Sequence, residues 1–227
     1  MSFFNSKPKP EREDVKTNIH VMIDLETMGT KHGSPILTIG AVLFDPHEQD
    51  NVHSLESRSF LRRVDIADAF TNSNGADPET LKWWLQQDDA AIKALVEGET
   101  VTLRQALLDF RNYCIDRNAE LERKFFPNWS GFPVACIVWA KAPDFDCKMM
   151  EAAAAFCGEK FPFMFYQYRC VRTLQDLAWP NGPNDVPKFA AGTLHDARAD
   201  AVNQALVVQA GYKELGLAKS DVTFSTF

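Results

Sequence analysis

The chain has 227 residues, 45% of them hydrophobic, and a formal net charge of −7. That length suits one large domain or two small ones, and the acidic balance disfavours a module that coats nucleic acid through bulk positive potential, though not an enzyme that grips one strand end. No apolar run is long enough to span a membrane, the N-terminus has no apolar stretch like a signal-peptide core, and five cysteines without regular spacing argue against a disulfide framework and for a reducing cytoplasm.

Met1 to about Lys16 is polar, carries Pro8 and Pro10, and reads as a mobile tail (residues 1–16), with one domain over residues 17–227. Asn18 to Glu26 reads as a strand, and Gly29 to Pro35 supplies turn chemistry. Ile36 to Phe44 is almost wholly apolar, as in a strand buried on both faces, and Ser57 to Val64 is a third strand. Asp77-Pro78 opens a helix, with Asp77 as N-cap and Pro78 in the first turn, and Leu81, Trp84 and Leu85 share a face. Ala90 to Val96 is a short helix and Thr102 to Arg117 a longer one, with Leu103, Ala106, Leu107, Phe110 and Cys114 at helical spacing. Glu120 to Phe132 reads as loop and Val134 to Ala140 as a fourth, buried strand. Phe145 to Phe156 is helical and stops at Gly158; Phe165 to Cys170 is a fifth strand, followed by a short helix over Val171 to Ala178. Pro180 to Pro187 is loop, and His195 to Leu215 is the last helix. Three strands in succession, then strands alternating with helices, predict an α/β fold with a mixed sheet.

Three acidic segments stand out. Asp24 and Glu26 end the first strand two residues apart, so their side chains leave the same face and repel each other unless a cation lies between them. Asp146 follows the fourth strand, where open sheets gather ligands, and Asp144 competes with it for that role or for a helix cap. His195 and Asp200 are five residues apart, about 140° out of phase on a continuous helix. They converge only if His195 precedes the helix and Asp200 lies inside it. Asp196 lies four residues before Asp200, shares its face, and competes with it as a ligand.

The ordered set Asp24, Glu26, then Phe145-Asp146, then His195 and Asp200 resembles the DnaQ-like exonucleases of the DEDDh subgroup. It is most similar to the DexA-type phage exonucleases and the related mycobacterial-type exoribonucleases. Glu79-Thr80, Trp83-Trp84 and Gln87 resemble a Trp-Trp helix of that group, as do Trp139 and Arg169 to Thr173 in their places. The likeness runs from about Asn18 to Tyr212. It implies an RNase H-like fold: a mixed sheet whose first three strands are antiparallel, with helices on both faces. It implies Asp146 over Asp144 and Asp200 over Asp196. It further implies a 3′–5′ exonuclease in which Asp24, Glu26, Asp146 and Asp200 hold two Mg²⁺ or Mn²⁺ ions and His195 takes a proton from water. The partners would be nucleic-acid 3′ ends, single-stranded DNA favoured over RNA, with Leu25, Thr27, Trp84 and Phe145 meeting the substrate. A homodimer is compatible with the likeness. One departure is the run Ala140-Lys141-Ala142-Pro143-Asp144, where relatives often carry Gly or Asn.

Overall fold

The computed structural model describes residues 20–116, 136–192 and 195–218. The N-terminal tail, the loop read at Glu120 to Phe132, and the first residues of the strands read from Asn18 and Val134 lie outside the described residues. Strands β1 (His20–Thr27), β2 (Ile36–Phe44) and β3 (Ser59–Val64) pair antiparallel in succession. A two-residue strand, β4 (Thr100–Val101), joins β3 in parallel. On the other side β5 (Ile137–Ala140) runs parallel to β1, and β6 (Tyr168–Cys170) parallel to β5. The order β4-β3-β2-β1-β5-β6 makes β1 and β2 the centre of the sheet. That position explains their nearly complete burial, since both faces of both strands are covered.

Eight α-helices lie among the described residues. They are α1 (Val52–Glu56), α2 (Ile66–Thr71), α3 (Pro78–Trp84), α4 (Asp89–Val96), α5 (Leu103–Asp116), α6 (Pro143–Phe156), α7 (Val171–Ala178) and α8 (Ala197–Glu214). One face of the sheet presents Val21, Ile23 and Leu25 from β1, packed with Phe110 of α5 and Met149 and Met150 of α6. The opposite face presents Met22, Val42, Phe44 and Trp139 to Ala201, Val202, Ala205 and Leu206 of α8 and to Val171 and Leu174 of α7. Each of the large side chains buried here stabilises the fold by about 1.5–3 kcal/mol relative to exposure. The RNase H-like arrangement of a mixed sheet between helices is thus realised, with the first three strands antiparallel as expected.

Local chemistry sets the element ends. Asp77 accepts a hydrogen bond from the Glu79 N–H at 3.0 Å and caps α3, with Pro78 in its first turn, as the sequence indicates. The segment read as a strand from Phe165 begins instead with a 3-10 turn at Phe165–Gln167, and the strand proper is Tyr168–Cys170. Gln167 drives this: its side-chain oxygen takes the Met164 N–H at 2.7 Å while its amide N–H reaches the Cys136 carbonyl at 2.7 Å. The last helix starts at Ala197 rather than His195, because Asp196 caps it through the N–H groups of Arg198 and Ala199, both at 3.0 Å. Helices α1 and α2 and strand β4 are absent from the sequence reading.

Candidate active site

Asp24 and Glu26 occupy the same face of β1, the face on which α8 lies. The register with β2 shifts between Glu26 and Thr27, just after the two acids, and the pairing resumes with Thr27 opposite Ile36. Such bulges re-aim side chains at sheet edges and sites. The partner of Asp24 across the pair is Gly40, and the partner of Glu26 is Thr38. A Cβ on Gly40 would lie 2.1 Å from the backbone carbonyl of Ala197. The bare backbone there lets the first turn of α8 rest directly on the sheet beside Asp24.

Asp200 lies in that first turn, and its N–H bonds the Asp196 carbonyl at 2.9 Å. His195 precedes the cap with φ of 61°, the sole non-glycine residue with positive φ among the described residues. A non-glycine side chain in the left-handed region costs on the order of 1 kcal/mol. The conformation brings His195 and Asp200 together despite their unfavourable helical phase: ligand atoms of Glu26, His195 and Asp200 lie within 4.8 Å of one another. The His195 ring packs edge-on against Trp83 (centroids 4.9 Å) and Trp84 (6.0 Å). Asp196, the competing acid, spends its carboxylate on the cap.

Asp146 enters from the other side of the sheet, in the first turn of α6. Ala142 is the N-cap residue and Pro143 the first helical position, so the departure from the related pattern starts the helix here. Asp146 is 5% exposed, whereas Asp144 faces solvent and its backbone carbonyl accepts from His32 at 2.9 Å.

The electrostatics of the four acids are strongly perturbed. Burial, then the charges of Asp146, Glu26 and Asp200, push the Asp24 carboxyl well above its ordinary range. Burial and the charges of Asp200, Asp196 and Asp146 raise Glu26 to about 8. Burial raises Asp146 to about 7, against backbone hydrogen bonds and the charge of Arg172. Asp200 is raised by burial too, with His195 and Lys141 pulling the other way. None of the ion pairs among the described residues engages these four acids. Thr38 Oγ1 and Gln204 Oε1, which flank Glu26 and Asp24, are buried without a partner. Crowded carboxylates outside any ion pair, with spare oxygen acceptors beside them, fit a hard divalent cation such as Mg²⁺ or Mn²⁺ and not a soft-ligand metal.

Glu26 also borders an open cavity of about 490 Å³ lined by Leu25, Thr27, Asp77, Trp83, Trp84 and Phe145. The four residues expected to meet substrate therefore line one cavity. Trp84 is 4% exposed and its indole N–H donates to the Thr27 carbonyl at 3.0 Å, while Trp83 is 41% exposed. Gly40, Thr38, Gln204 and Trp83 escaped the sequence reading as site residues. A lone glycine within an apolar strand signals close backbone approach, and Gln204 lies one helical turn beyond Asp200. Thr38 gave no signal without the strand register.

A family model described as the 3'-5' exoribonuclease Rv2179c-like domain matches residues 19–212. No curated protein matches the sequence significantly. Among solved structures, cell-death related nuclease 4 (CRN-4) is similar in fold, at 13% identity and a TM-score of 0.56 over 88% of this chain and 64% of that one. A structure described as 3'-end specific recognition of histone mRNA stem-loop by 3'-exonuclease aligns at 14% identity and a TM-score of 0.50, over 87% and 82% of the two chains. With the motifs in order and the family model matched over most of the sequence, the chain belongs to the 3'-5' exoribonuclease Rv2179c-like family and is a hydrolytic 3'–5' exonuclease.

Proposed function

We propose that the protein is a two-metal 3'–5' exoribonuclease that releases nucleoside 5′-monophosphates from single-stranded ends. The observation that carries this reading is the convergence of Glu26, His195 and Asp200 within 4.8 Å of one another, with the charges of Asp24 and Asp146 acting on the same cluster and none of the four acids held in an ion pair among the described residues. Those four carboxylates would hold the ions, which supply Lewis-acid stabilisation of the attacking and leaving oxygens. His195, braced by Trp83 and Trp84, would accept the proton of the attacking water. Leu25, Thr27, Trp84 and Phe145 would form the wall for the terminal nucleotide, with the more exposed Trp83 available for stacking. Arg172, whose charge reaches Asp146, is better placed to meet phosphate than Arg169, whose guanidinium donates to the Tyr166 and Tyr168 carbonyls.

The DexA-type likeness weighs toward DNA, whereas the matching family is described by its exoribonucleases, and that description favours RNA. Digestion of RNA and DNA oligomers labelled at either end, with Mg²⁺ or Mn²⁺, tests both polarity and sugar preference. The expected result is stepwise shortening from the 3′ end, faster on RNA, abolished by Asp24→Ala. His195→Ala should lower turnover by about 10²-fold or more while leaving Mn²⁺ binding intact. Full activity of Asp24→Ala would overturn the assignment, and a faster reaction on DNA would reverse the substrate preference alone.

A further inference from the structure

We propose that Gln204 is a positioning residue that fixes the Asp24 carboxylate for cation binding. The inference rests on the two-metal reading. Gln204 Nε2 donates to Asp24 Oδ1 at 2.7 Å, across 180 residues of sequence, and this is the one side-chain hydrogen bond made to Asp24 among the described residues. It leaves Oδ2 unengaged. The two residues meet because α8 carries Gln204 one turn past Asp200, on the same face of the helix. A single helix thereby presents one carboxylate and restrains another.

The chemistry of the restraint is specific. Asp24 is pressed by three like charges, and an unrestrained carboxylate would rotate away from them. A lysine or arginine at position 204 would hold it too, but would neutralise the charge that a cation needs. A neutral amide donor fixes the oxygen and leaves the charge in place. The fold itself gives no reason for the amide. Gln204 Oε1 is buried with no partner, a defect that a methionine of similar length would remove. A donor aimed at the Asp24 carboxylate at the cost of a buried oxygen without a partner belongs to the site.

The test is calorimetric titration of Mn²⁺ into nucleic-acid-free wild type, Q204M, Q204A and D24N. Wild type should bind, D24N should lose a site, and Q204M should bind at least tenfold more weakly. Its metal-free circular dichroism should match wild type. Turnover of Q204M should recover toward wild type as Mn²⁺ is raised, a metal-affinity defect that a loss of structure would not show. Q204M binding within twofold of wild type overturns the role of Gln204 alone. Wild type without Mn²⁺ binding, or D24N binding equally well, overturns the two-metal reading first. Should Q204M fail to fold, Q204A carries the same comparison, and misfolding of both would make the amide structural and sink the proposal.

Discussion

At the scale of single residues the site is an unfavourable place to put charge. Asp24 and Glu26 leave one face of a central strand, and burial with mutual repulsion raises both above the ordinary carboxylate range. Holding them costs stability in the absence of cations, so relieving one should help the metal-free protein. Asp24→Asn keeps the shape and an acceptor for Gln204 while removing a charge. Its metal-free melting temperature should rise by about 2–4 °C, equivalent to about 1 kcal/mol for a chain of this size. Turnover should fall below detection, and the Mn²⁺-induced thermal shift should shrink. Differential scanning fluorimetry in EDTA and in Mn²⁺ checks both, and a lower melting temperature in EDTA would contradict the repulsion argument. Much of this was legible in the sequence. The two-residue spacing gave the shared face, and the phase argument required His195 outside the helix, where its positive φ now places it. The choice of Asp200 over Asp196 rested on likeness alone until the cap was visible. Thr38 and Gln204 were not legible as site residues, because strand register and a contact across 180 residues are decided by tertiary packing.

At the scale of elements, the site depends on how closely α8 approaches the sheet. Ala197, Ala199, Ala201 and Ala205 keep its buried face low, and Gly40 removes the last obstruction under its first turn. A methyl group at position 40 would collide with backbone, which cannot rotate out of the way as a side-chain tip would. Gly40→Ala should therefore lift the N-terminus of α8, with a loss of about 1–3 kcal/mol. Asp200 rides on that turn and His195 directly precedes its cap, so turnover should fall by more than the stability loss explains. Assays well below the melting temperature, with folding checked by circular dichroism, separate the two effects. Wild-type turnover in Gly40→Ala would show that the helix has slack. The long elements were readable from periodicity, and Gly40 within an apolar strand was a usable signal. Helices α1 and α2, of five and six residues, were not readable. They are too short for a periodic pattern, and their starts depend on the side chains of Asn51 and Asp65 capping at 2.9 Å each. Strand β4 has two residues and follows from its pairing with β3 rather than from local composition.

For the whole molecule, the shifted groups set opposing trends of stability with pH. His20 is buried beneath Phe44 and Trp139, accepts the Trp139 indole N–H at 2.7 Å, and burial lowers it from 6.5 to about 4. A depressed folded value means its contribution is present above 6.5 and lost as pH falls toward 4. The site carboxylates act with the opposite sign. Glu26 rises from 4.5 to about 8 and Asp146 from 3.8 to about 7, so each favours folding below its ordinary value and loses that contribution as pH climbs through its folded value. Between about pH 4.5 and 6.5 His20 offsets only one of the two carboxylates, so the downward trend with pH is blunted rather than cancelled. Above 6.5 the contribution of His20 is complete and the carboxylate trend remains. A single such group loses about 1.4 kcal/mol per pH unit in this window, so metal-free protein should lose roughly 2 kcal/mol, or about 4–8 °C, from pH 6.5 to 8. Cations invert the slope, because they compete with protons for the same oxygens. The gap between melting temperatures in Mn²⁺ and in EDTA should widen steadily over that range. A pH series of paired thermal melts measures it directly. An EDTA curve that stays flat or rises from 6.5 to 8 would mean that the four acids are already ionised and at ease in the folded chain, and their crowding would then no longer argue for bound cations.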